Sequence, residues 1–300
     1  MKKEKKQEYL AIGSLFVVTI VWGWGFIFSN MALEVGLRPA AIMFTRFTLA
    51  ALLMWIAFRK TILTNYRKGQ WKSGFLTGGF LFLGFFIQIL GLERSTPSNN
   101  AFITGAYVVM VPFILWIALK KKPKPVIFFS SFLSLGGVAV LSVNPSGGLS
   151  MNRGDLLTLV SALFFALQIV STGVFASSVH HLVLVFTQFT TAAVLSLAVF
   201  LLGDRDFSGL TGLRGAGSVL FLGTFSTFLC YFLQTYAQRF VSSSKAGIIL
   251  GMEALFGTVF SVIMGYDQPN PRMVLGGIMM LASIILPEFF TETGVRKPAA

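Results

Sequence analysis

The chain reads as an all-α membrane protein of ten transmembrane helices in two inverted five-helix repeats. Three observations predict this. Hydrophobic residues make up 55% of the 300 positions and charged residues only 12%, with a mean hydropathy of +0.77. A soluble domain needs about twice that charged fraction to cover its surface. The apolar residues also fall in long blocks rather than short alternating segments, which excludes a barrel. Finally, Phe44-Thr45-Arg46-Phe47-Thr48-Leu49-Ala50-Ala51-Leu52-Leu53 returns 142 residues later as Phe186-Thr187-Gln188-Phe189-Thr190-Thr191-Ala192-Ala193-Val194-Leu195, identical at seven of ten positions.

A helix crossing about 30 Å of hydrocarbon needs roughly 20 apolar residues. Ten such blocks occur, near 10–31, 39–58, 73–92, 100–119, 125–143, 154–177, 182–202, 216–236, 246–265 and 272–290. Breakers separate them, among them Pro39, Pro97, Pro123, Asn144-Pro145-Ser146-Gly147-Gly148 and Pro269-Asn270-Pro271. The first block follows a basic N-terminus but runs on to about Ala32. It is too long for a signal core and lacks a small-x-small cleavage site, so it reads as an uncleaved span.

The net charge of +13 could suggest nucleic acid. The cations instead lie in short loops, where they orient membrane insertion. One side collects seventeen Lys and Arg residues and the other six, and only Arg46 lies within a span. Both termini are therefore expected in the cytoplasm. The second block matches the seventh, so each half holds five spans. Because five is odd, the second half enters from the opposite side. Echoes at an offset of 145 agree, such as Arg94 with Arg239, Ala101 with Ala246 and Ile103 with Ile248. Inverted repeats are common in secondary transporters, with the substrate site between the halves near mid-membrane.

Trp22-Gly23-x-x-Phe26, Arg46-Phe47, Asn99-x-Ala101-Phe102-Ile103-Thr104-Gly105 with Pro112, and Glu253 in the ninth block are the residues of a wider resemblance. Together with ten spans in two halves, they resemble the EamA-type transporters of the drug/metabolite transporter superfamily. The resemblance implies residues 1–144 as a first EamA-like repeat, 150–290 as a second and 291–300 as a short cytoplasmic tail. It implies a multi-pass protein of a bacterial cytoplasmic (inner) membrane that exports amino acids or related small metabolites or drugs. It also implies a central cavity lined mainly by helices 1, 3, 4, 6, 8 and 9, which leaves helix 2 peripheral. Two departures bear on the substrate: Ala254 follows Glu253 where the family usually has proline, and Phe165 stands where tryptophan is frequent.

The candidate substrate-binding residues are Trp24, Arg46, Gln88, Tyr107, Gln168, Gln188 and Glu253. A charge at the bilayer centre costs at least about 2.5–3.5 kcal/mol, so Arg46 needs a partner. It either binds a substrate carboxylate or ties neighbouring helices together. Glu253 is the one acid at mid-span. It binds a substrate amine, takes up a proton in antiport, or pairs with Arg46. Gln88, Gln168 and Gln188 are amides that lipid would leave unsatisfied. Trp24 and Tyr107 lie deeper than the interfacial aromatics and suit a cavity wall.

Gly74-x-x-x-Gly78 and Gly247-x-x-x-Gly251 fit close helix packing, and no dimer is claimed from them. His180-His181 reads as a solvated cytoplasmic turn. The single Cys230 permits no disulfide within the chain. No metal or cofactor is expected, and no catalytic group. An intramembrane enzyme would need a catalytic pair at one depth, and a receptor or accessory subunit a long soluble domain; neither is present. The expected partners are a small-molecule substrate, the lipid bilayer, protons as coupling ion and a second copy in a homodimer, with no nucleic acid.

Overall fold

A computed structural model describes residues 2–120, 122–142, 152–203, 205–269 and 271–290. The 291–300 tail and the Asn144–Gly148 breaker lie outside the described residues. Every regular element among those described is helical. Helix α1 is Lys2–Glu34, α2 Pro39–Asn65 and α3 Trp71–Leu92. Next come α4 Pro97–Thr104, α5 Tyr107–Leu119, α6 Pro125–Ser142, α7 Arg153–Phe175 and α8 His181–Leu202. The chain closes with α9 Leu213–Phe221, α10 Cys230–Ala237, α11 Ser243–Leu250, α12 Glu253–Ile263 and α13 Arg272–Phe290. Between α9 and α10, Leu222–Leu229 is wound as a π-helix, so these three segments form one span, Leu213–Ala237.

Eight helical stretches among the described residues are long and apolar enough to cross a membrane. The fifth and tenth predicted blocks give shorter apolar stretches, Pro125–Val140 and Val274–Pro287. These two, in α6 and α13, pack on each other.

Local chemistry sets the helix starts. Pro39 and Pro97 open α2 and α4, where a missing N–H costs nothing. The Thr96 side chain caps α4 by accepting from the Asn99 N–H, and Ser242 caps α11 in the same way from Lys245. Asn152 and Asp155 form a reciprocal capping box at the start of α7. Gly36 takes φ +87 in the turn between α1 and α2, a conformation that a side chain resists.

Two predicted spans are interrupted rather than continuous. The fourth breaks at Gly105-Ala106 and the ninth at Gly251-Met252. The interruptions match residue for residue at an offset of 146: Pro97 with Ser243, Gly105 with Gly251, Tyr107 with Glu253. Their hydrogen bonds correspond as well. Ala106 N–H donates to the Ile103 carbonyl and Met252 N–H to that of Ile249; Val108 N–H donates to Gly105 and Ala254 N–H to Gly251. The sequence echoes at 145 are thus one residue out of register for this pair, which is about 100° around a helix.

The packing has the same exchange symmetry. Helix α3 lies on α7 as α1 lies on α9 and α10; α4 and α5 lie on α7 as α11 and α12 lie on α1. Helix α2 packs on α8. Helix α3 also packs on α8, as α2 packs on the π-segment. Both glycine motifs serve these contacts. A Cβ on Gly78 would come within 2.5 Å of the Gln188 carbonyl oxygen of α8, and one on Gly251 within 2.5 Å of Val108 of α5.

Candidate functional site

A narrow chamber lies between the halves. Helix α1 contributes Trp22, Gly25, Phe26 and Ser29 to its wall, and α2 contributes Met43 and Arg46. Helix α3 supplies Phe85, Gln88, Ile89 and Leu92, while Asn100, Thr104 and Tyr107 come from either side of the first interruption. Phe165, Gln168 and Ile169 of α7 face them. Ser226 of the π-segment, Tyr231 of α10 and Glu253 of α12 complete the lining.

Arg46 is 2% exposed and is the largest fully buried side chain among the described residues. Its Nε donates to Thr227 Oγ1 at 3.0 Å and its Nη2 to Ser226 Oγ at 3.3 Å. The guanidinium carbon stands 4.0 Å from the centroid of the Phe85 ring. Nη1 makes no hydrogen bond among the described residues. The π-winding brings both hydroxyls to Arg46, and such segments recur at functional sites. No acid pairs with Arg46 among the described residues, so of the alternatives for Glu253 the pair with Arg46 does not form.

Glu253 is the first residue of α12 and Tyr107 the first of α5. These equivalent positions face each other. The Tyr107 hydroxyl lies within interacting reach of the Glu253 carboxyl, yet it makes no well-formed hydrogen bond and is buried without a partner. Asn100 donates to Thr158 Oγ1 at 2.7 Å and to the Gln88 carbonyl at 3.2 Å, while its Oδ1 accepts from nothing. The chamber therefore offers a cationic donor at Arg46. It also offers unused acceptors at Asn100 Oδ1, Tyr107 and Glu253.

Two further amides are engaged by the protein. Gln88 Nε2 donates to Thr104 Oγ1 at 2.9 Å. Gln168 Oε1 accepts from Gln234 Nε2 at 3.2 Å, and Gln234 Nε2 also reaches Gln238 Oε1 at 3.1 Å. Aromatic rings fill the remaining wall: Trp22 lies 5.2 Å from Tyr231 and Phe85 lies 4.9 Å from Phe165, centroid to centroid.

Five of the seven candidates, Arg46, Gln88, Tyr107, Gln168 and Glu253, thus come together in one chamber. Trp24 and Gln188 do not line it. Trp24 stacks on Phe260 at 4.3 Å on the other face of α1, because a two-residue step turns a helix by about 200°. Gln188 is fully buried, and neither of its amide atoms has a partner. Lining residues outside the seven candidates include Trp22, Asn100, Ser226 and Tyr231. Trp22 was legible: it and Phe26 stand four apart on one face. Helix α2, expected at the periphery, reaches the chamber because it packs on the π-segment.

The His180-His181 turn lies apart from the chamber. His181 Nδ1 is 3.3 Å from Arg239 Nη1, and the two imidazoles stack at 4.7 Å. Burial and the neighbouring Arg239 hold His180 below its ordinary pKa. No group of metal-ligating side chains occurs among the described residues.

A helical membrane protein with a chamber lined in part by polar side chains, built where two interrupted helices meet, has the architecture of a membrane transporter. The EamA-like transporter family matches residues 9–143 and again 152–287, and the chain belongs to that family. An uncharacterized transporter of Archaeoglobus fulgidus is 30% identical over 284 residues, 94% of this chain and 86% of the relative. The biotin transporter of Escherichia coli K12 is 23% identical over 276 residues, 90% of each chain. A crystal structure shares the fold with a TM-score of 0.77 at 15% identity, covering 93% of this chain and 96% of that one. Family and relatives point to transport rather than to an enzyme.

Proposed function

We propose that the protein is a secondary transporter that exports small amphipathic carboxylates across a bacterial cytoplasmic membrane by alternating access. Two inverted repeats, 1–144 and 150–290, rock about the chamber, with both termini in the cytoplasm. One observation carries the substrate reading. A guanidinium buried in the chamber has no acid partner among the described residues, and a bound anion supplies one. The acceptors at Asn100, Tyr107 and Glu253 suit a substrate that also donates hydrogen bonds. Amino acids and ureido acids both fit; biotin, named for one relative, is of the second kind. The rings of Trp22, Phe26, Phe85 and Phe165 accept the apolar part.

Glu253 is the group that couples transport to protons. It is a carboxyl in the chamber with no cation beside it among the described residues. A homodimer gains no support from the glycine motifs, because Gly78 and Gly251 are already committed to contacts within the chain. The test is flux in proteoliposomes under an imposed proton gradient, with wild type and Glu253→Gln side by side. Gradient-driven flux that Glu253→Gln uncouples supports the reading. Flux equally steep in pH for both proteins rejects the role of Glu253.

A further inference from the structure

Two polar contacts join the halves of the chain at the starts of the interrupted helices. Lys245 Nζ of α11 meets Glu8 Oε1 of α1 at 2.9 Å, with the side chains only 16% and 13% exposed. Asn99 Nδ2 of α4 donates to Asp155 Oδ1 of α7 at 2.6 Å, and Ser95 Oγ reaches the same oxygen at 3.2 Å. Asn99 and Lys245 are the third residues of their helices, at the 146-residue offset already described. Asp155 is the third residue of α7 and Glu8 the seventh of α1, the helices against which α4 and α11 pack. Exchanging the halves therefore maps one contact onto the other, to within one residue at the acid.

The two contacts lie on opposite membrane faces. Helices α1, α2 and α3 each cross, so Asn99 comes out on the face away from Glu8. Each contact lies towards one end of the chamber. Asn99 is adjacent to Asn100, which lines it. Lys245 precedes Glu253 by eight residues, about 12 Å along helix. The intervening space holds Gln234 and Gln238, whose amides bind Gln168 and the Ile169 carbonyl. Both contacts are made at once.

We propose that Glu8–Lys245 and Asp155–Asn99 are the two latches of the transport cycle, each holding one mouth of the chamber shut. This rests on the alternating-access reading. A state open on one face breaks the contact there and keeps the other. The latches differ in chemistry. One is an ion pair; the other is an acid held by an amide and a hydroxyl, with the Asn100–Thr158 bond alongside it. The position equivalent to Asn100 is the apolar Ala246.

The experiment uses the full chain with Cys230→Ala and a chamber reporter, Ser29→Cys, in oriented membrane vesicles of both senses. A small charged thiosulfonate reagent is applied from either face. Lys245→Gln is expected to speed labelling from the Glu8 face about fivefold and slow it from the other, the size of one partly buried polar contact. Asn99→Ala is expected to do the reverse without touching the α7 cap. Combining them restores the original ratio, and so does the charge exchange Glu8→Lys with Lys245→Glu. A reporter that labels in the parent but shifts in neither variant, or speeds from both faces together, overturns the latches and leaves transport standing. A reporter that labels from neither face in any variant overturns alternating access as well.

Discussion

Replacing Arg46 by lysine separates substrate recognition from structural support. Lysine keeps the charge but loses the planar fork. The bond from Nε to Thr227 and the face-on approach to Phe85 go with it. A buried hydrogen bond from a charged group contributes about 1.5–3 kcal/mol, and a desolvated cation–π contact about 2 kcal/mol. The variant should therefore be less stable by about 3.5–5 kcal/mol. The second effect is on substrate. With one donor of the fork gone, a carboxylate should lose about 2 kcal/mol, roughly a 30-fold rise in Kd. Two measurements keep the effects apart: the melting temperature without ligand, and the Kd of the folded fraction for a panel of amino acids and biotin. Each solute is paired with its amide or methyl ester. Tight binding of the acids, weak binding of their esters and loss of that difference in Arg46→Lys are expected. If acid and ester bind wild type equally, the anion site is wrong. If Arg46→Lys melts earlier but keeps Kd within about twofold, Arg46 is only a tie between α2 and the π-segment.

Trp22→Phe should weaken binding about tenfold. It removes a chamber wall and the donor to the Ser226 carbonyl at 2.9 Å, whereas Trp24→Phe should leave affinity unchanged in the same titration. Gly78→Ala should destabilise by about 1–3 kcal/mol in a denaturation experiment, since its Cβ would sit 2.5 Å from the Gln188 carbonyl oxygen and push α3 off α8. His180 is held below its ordinary 6.5 by burial and Arg239, so the unfolded chain takes up a proton that the folded one resists. Its effect on stability is absent well above pH 6.5 and turns unfavourable as pH falls below it. His180→Ala should flatten the stability profile on the acid side and leave pH 8 unchanged.

Much of the fold was legible because the bilayer leaves few choices. Long apolar blocks must be helices, and loop cations must lie outside them. The interruptions at Gly105 and Gly251 were harder to see. Glycine inside an apolar run also reads as close helix packing, and Gly251 does pack against Val108. The π-winding of Leu222–Leu229 left no sign in the sequence, since Gly223, Thr224, Ser226 and Thr227 suit a regular helix equally well. Its consequence was hidden too: without it, α2 seemed remote from the chamber and Arg46 lacked hydroxyl partners.

The site shows where periodicity helps and where it misleads. Arg46 and Glu253 stand out by chemistry alone, because a lone charge in an apolar span has few bland explanations. Trp22 and Trp24 cannot be separated by chemistry, only by phase: Phe26 shares a face with Trp22, and Phe28 with Trp24. Gln188 exposes the limit of the repeat. It occupies the position in the second half that Arg46 has in the first, and as an amide inside a span it was a candidate. The partners are not repeated, however. Arg46 meets Ser226 and Thr227, and the residues 146 earlier are Phe80 and Leu81, which can accept nothing. The second half thus carries a neutral amide where the first carries a cation. This asymmetry places the positive charge on one side of the chamber. On the proposed reading, a solute with one anionic end binds in one orientation, while the helix packing around it keeps its two-fold exchange.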